Sequence, residues 1–120
     1  MQTLSLDFET RATVDLRQTG VYPYAQDANT DIWCMAWAFD DEEPEIWVPG
    51  EPIPERVREH ILNDGELRAW NANFERTIWR EIMVKRYGAP VVRDDQWHDT
   101  AAEAAAMALP RGLDQCAMVL

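Results

Sequence analysis

The run Leu4-Ser5-Leu6-Asp7-Phe8-Glu9-Thr10 constrains this chain more than any other. It is an apolar strand interrupted by two acids. Side chains in a strand alternate between faces, so Asp7 and Glu9 point the same way, about 7 Å apart along the chain. Like charges this close repel, and burying either one without a partner is costly. A hard cation between them, Mg2+ or Mn2+, relieves both penalties, because carboxylate oxygens are its preferred ligands. The competing reading is a strand whose solvent-facing side is acidic by chance.

The chain has 120 residues and is 47% hydrophobic, which suits a single domain over 1–120 with a sizeable core. No stretch reaches the roughly 18 uninterrupted apolar residues of a membrane span, and Asp7 and Glu9 break up any signal-peptide apolar region. Cys34 and Cys116 have no metal-ligand spacing, so reduced, partly buried thiols in a cytoplasmic protein are expected. The net charge is −11, from 22 acidic and 11 basic residues. That disfavours broad non-specific binding to nucleic acid, which depends on Lys and Arg. It does not exclude a nuclease, since a carboxylate site is acidic by construction and its cations face the phosphate. Basic strand-holding surface would then lie on a partner or on further polypeptide.

Along the chain, 3–9 reads as a first strand and 11–30 as an irregular excursion with one helical turn near 22–25. Residues 31–39, rich in Ile32, Trp33, Trp37 and Phe39, form a second strand. The solvated acidic turn 40–44 leads to a third strand at 45–48. Pro54 and Glu55 open a helix that runs to about Asn63 and stops at Asp64-Gly65. His60 has no second ligand at metal spacing and reads as a boundary residue. Residues 67–70 form a short fourth strand. A strong helix over 73–86 is ended by Gly88 and Pro90. A strand at 97–99 enters a helix at 100–109, which Pro110-Arg111-Gly112 breaks before another begins at Leu113.

The helix from Asn73 carries the second unusual acid. At about 100° per residue, Glu75 falls within the apolar arc of Phe74, Ile78, Trp79, Ile82 and Met83. A glutamate there needs a partner. One reading is a buried ion pair with Arg11, Arg17 or Arg76. The other is a site carboxylate aimed back at the first strand, from the first helical turn after a strand, where open α/β sheets place their ligands. Asp99 also follows a short strand, but Asp99 or Thr100 reads first as a helix cap, with Thr100 and Glu103 forming a capping box.

Leu6-Asp7-Phe8-Glu9-Thr10 resembles the D-x-E-T motif of DnaQ-like (DEDD) 3′–5′ exonucleases. Trp70-Asn71-Ala72-Asn73-Phe74-Glu75 resembles their second motif, H-N-x-x-F-D, with Trp70 in place of the histidine and Glu75 in place of the aspartate. Asp99-Thr100, Leu109-Pro110 and Gly112-Leu113 resemble the D-T-helix-L-P-x-x-L segment that follows. Gly20-Val21-Tyr22-Pro23-Tyr24-Ala25 resembles a stretch of the N-terminal exonuclease domain of phage-type family A DNA polymerases. No third motif, Y-x-x-x-D or H-x-x-x-D, follows the second, so the chain reads as C-terminally truncated.

The resemblance implies an α/β, ribonuclease H-like fold: a mixed central sheet, three strands in an antiparallel meander plus parallel strands, flanked by helices. It implies two divalent ions, Mg2+ or Mn2+, hydrolysing phosphodiesters at the 3′ end of single-stranded DNA, or RNA. Asp7 would bridge both ions, Glu9 would ligate the one that activates water, and Glu75 would hold the other. Thr10 and Asn71 would position the terminal nucleotide. With the fourth acid and the water-handling Tyr or His missing, weak or no activity in isolation is expected. A polymerase domain, or self-association through the apolar end, would complete the unit. Two further readings stay open: a non-catalytic ribonuclease H-like binding module, and an acidic α/β domain without a site.

Overall fold

The computed structural model describes residues 2–100. A five-stranded mixed sheet, in the order β3-β2-β1-β4-β5, organises them. The strands are β1 (Thr3–Arg11), β2 (Asp31–Phe39), β3 (Glu45–Trp47), β4 (Glu66–Ala69) and β5 (Trp97–Asp99). β1, β2 and β3 form the expected antiparallel meander. β4 runs parallel to β1, and β5 parallel to β4. The acid-bearing β1 is therefore the central strand.

Register divides the sheet into two unlike faces. Leu4, Leu6 and Phe8 stand opposite Phe39, Trp37 and Met35, and this bulky face is the floor of the core. On the other face Ser5, Asp7 and Glu9 stand opposite Ala38, Ala36 and Cys34, a strip of small side chains. Cys34 is fully buried there; its expected redox state turns on Cys116, which lies outside the described residues.

Helices cover the bulky face. α1 (Leu16–Thr19) and α2 (Val21–Gln26) interrupt the β1–β2 connection. Only the second was expected; the Asp15 side chain caps the first by accepting from Arg17 N. α3 (Glu55–Leu62) turns Val57 and Ile61 into the core. Gly65 ends its exit loop because a Cβ there would stand 2.3 Å from the His60 ring. His60 is a boundary residue, as expected: its Nε2 meets the Glu66 carbonyl at 2.8 Å.

The expected 73–86 helix is divided. α4 (Ala72–Ile78) passes into a π-helical stretch, Trp79–Val84, before α5 (Lys85–Tyr87). One longer-range bond and two local ion pairs accompany this widened turn. Trp79 Nε1 donates to the Pro90 carbonyl at 2.8 Å, and buried Glu81 is held by Lys85 at 2.6 Å and Arg80 at 3.2 Å. Gly88 closes the helix in the left-handed region, φ 72°, where a Cβ would be strained. No helix among the described residues is long and apolar enough to cross a membrane. The helices expected at 100–109 and from Leu113 lie outside the described residues.

Candidate active site

The site is built around a gap in the sheet. Asp40 N donates to Thr3 O, so the odd-numbered residues of β1 exchange backbone bonds with β2. The backbone groups of Leu4, Leu6 and Phe8 face β4 instead. β4 is short: its last pairing with β1 is Ser5 with Arg68, and the chain then turns at Trp70 into α4. Phe8 N–H thus projects past the end of its neighbouring strand. Buried and unpaired, it would cost roughly 1–3 kcal/mol. Glu75 Oε2 fills the place of the missing strand, accepting from Phe8 N at 3.1 Å.

Glu75 is only 4% exposed. Its pKa is raised well above the usual carboxylate value, first by burial, then by the charge of Asp7, and to a smaller extent by that of Glu9; the Phe8 N–H works in the opposite direction. Asp7 and Glu9 come from the small-residue face of β1 and Glu75 from the helix on the bulky face, and the three acids meet electrostatically at the gap. Of the two readings of Glu75, the ion pair does not form. Among the described residues Arg17 pairs with Asp15 and Arg76 with Asp94, and the group Glu75 touches is the backbone of β1. No three His, Cys, Asp or Glu side chains of the described residues are grouped tightly enough to hold a metal ion.

The two substrate-positioning candidates flank the gap. Thr10 follows a register shift after Glu9, and its hydroxyl lies 2.7 Å from Tyr24 OH. Asn71 caps α4: its Oδ1 accepts from Phe74 N at 3.4 Å, which leaves its amide donors facing outward on an exposed residue. Asp99 ends β5, next to Thr100. The Thr100 hydroxyl donates to the Ala69 carbonyl at 3.2 Å and so ties β5 to the end of β4. Whether either residue caps a following helix concerns residues outside those described.

Two contributors were not foreseen. The backbone N–H of Phe8 had no sequence signal, because nothing in a strand's composition reports where its neighbour stops. Tyr24 had one: it lies in the helical turn expected near 22–25, and Tyr24 and Phe74 pack with ring planes tilted by 44° and centroids 6.3 Å apart.

The chain is 36% identical over 123 residues to a DNA polymerase of Bacillus phage SP02, an alignment covering 100% of this chain and 18% of that protein. It therefore spans about a fifth of the relative's length. No family profile matches the chain, and no solved structure matches it.

Proposed function

We propose that this chain is part of a 3′–5′ exonuclease domain of the DnaQ-like type, with a ribonuclease H-like fold, carried by a DNA polymerase. Asp7, Glu9 and Glu75 would hold divalent ions, Mg2+ or Mn2+, against the phosphodiester at the 3′ end of a single strand. One observation carries the reading: a buried glutamate, raised in pKa first by desolvation and then by Asp7 and Glu9, bonds the central strand where its shortened neighbour has ended. A structural acid would be neutralised by an arginine. This one is surrounded by its own sign of charge, and a cation is what removes that penalty.

Three carboxylates, one already desolvated, are the ligand chemistry a hard divalent ion prefers, and an ion would have to draw them closer than they stand in the described residues. Ions bound there would supply a more acidic attacking water and positive charge for the leaving oxygen. The chain's own residues do the positioning. Asp7 and Glu9 are mounted on the central strand. Glu75 is fixed through Oε2 to Phe8, which leaves Oε1 for a ligand. Asn71, its Oδ1 committed to the cap, offers Nδ2 donors to the sugar or phosphate of the last nucleotide. The order of strands, three antiparallel and then two parallel, supports the fold assignment. The polymerase relative supports the association.

The spacing of the acids, not tight enough among the described residues to hold an ion, favours a second reading, a non-catalytic module of the same fold that binds a nucleic-acid end. One experiment separates them. Mn2+ binding by the full chain is followed by calorimetry, and shortening of a 3′-ended labelled single strand is followed on a gel, for wild type and Asp7→Ala. Ion binding lost in Asp7→Ala, together with shortening, is expected on the first reading, and neither on the second. Ion binding that Asp7→Ala leaves unchanged refutes the site itself.

A further inference from the structure

The geometry points to Trp70 as the platform on which the terminal base of the bound strand stacks, an inference that rests on the reading above and names how its substrate is held. Trp70 lies outside β4, in the turn between Ala69 and the cap residue Asn71. Two residues of loop and one turn of helix place it within about 12 Å of the turn bearing Glu75. A nucleotide whose phosphate meets the acids has its base within that reach.

Half of Trp70 is in water, 50% exposed, whereas Trp37, Trp47 and Trp79 are buried. The other exposed aromatic ring among the described residues, Tyr22, is already occupied. The Arg80 guanidinium sits 4.9 Å from its centroid and bonds its hydroxyl. Trp70 has no such cover among the described residues. Half-exposed beside an acidic gap, the indole offers a neutral π-face where charge is of no help. With a net charge of −11, this chain cannot draw in a polyanion through basic residues. Stacking supplies affinity without charge and tolerates every base.

The test is a double-mutant cycle on the full chain, with Ca2+ in place of Mn2+. Binding of a short oligothymidylate is compared with binding of the same strand abasic at its 3′-terminal nucleotide. Trp70→Ala is expected to weaken the intact strand about 5- to 150-fold, the equivalent of the roughly 1–3 kcal/mol of one stacked base. Trp70→Phe, which keeps an aromatic face, should stay within about threefold of wild type. On wild type, removing the base should cost the same factor; on Trp70→Ala it should cost almost nothing. Unchanged affinity in Trp70→Ala, or losses that simply multiply, would overturn the inference while leaving the ion site standing. Failure of the wild-type chain to bind either strand overturns it too, and the Asp7-dependent calorimetry then decides separately whether the ion site exists. Equal circular-dichroism melts for the three chains establish that folding is not what changed.

Discussion

Replacing Glu75 with Gln should make the ion-free chain more stable at pH 8, although the residue is buried and hydrogen-bonded. Gln keeps a carbonyl oxygen for Phe8 N–H, the bond Glu75 makes at 3.1 Å, so the ladder substitute survives. What disappears is a desolvated charge facing Asp7 and Glu9. The sign follows from linkage. Glu75 has a folded-state pKa above its unfolded value, so the native chain binds more protons between the two. Stability is full below the unfolded value of 4.5 and is lost as pH rises through the folded value. Glu42 and Glu81, whose pKa values are lowered by Arg56 and by Lys85, act in the opposite sense, but below that window. Each unit by which the Glu75 pKa is raised costs the ionised native state about 1.4 kcal/mol, or roughly 5 °C in Tm for a chain of this size. Differential scanning calorimetry in EDTA, from pH 5 to pH 8, should therefore show wild type losing Tm and Glu75→Gln holding it. Adding Mn2+ should restore wild type at pH 8 by mass action and do little for the variant. A flat wild-type profile, or a lower Tm for Glu75→Gln at pH 8, would refute the account of a charge held against its own kind.

Gly65→Ala should lower the urea midpoint by the equivalent of about 1–3 kcal/mol, since the new methyl would meet a His60 ring that is pinned to Glu66 O and packed edge-on to Phe39. Trp79→Phe should cost about 2–4 kcal/mol in the same measurement, from lost volume and from a Pro90 carbonyl left without its donor. Tyr87, whose pKa is raised to about 12 first by burial and then by its hydrogen bond to Asp31, should ionise near that pH in a spectrophotometric titration. The stability it lends is complete below pH 10 and lost as pH rises through about 12, and Tyr87→Phe should remove that step.

The strands were the most legible part of this chain. β2 begins and ends where its β-branched and aromatic residues do, and the charged turn after Phe39 forces the hairpin. The acid pair on β1 and the misplaced Glu75 were equally plain, because a carboxylate in an apolar pattern breaks a rule that composition alone enforces. The π-helical stretch was hidden. Its extra residue per turn goes with Trp79 reaching Pro90, a contact that no 3.6-residue projection contains. The meeting of the three acids fell between. Their existence could be read, but the gap that joins them depends on β4 ending after Ala69, a boundary that the sequence reading placed one residue later, at Trp70.

The bond from Phe8 N to Glu75 makes one side chain answer to two demands. A longer β4 would complete the ladder and seal the opening; a still shorter one would leave the middle of the sheet with a stranded donor. The acid that keeps the opening accessible is also the one that mends it, so whatever binds there pulls directly on the central strand, and occupancy at the rim is felt as rigidity in the middle of the molecule.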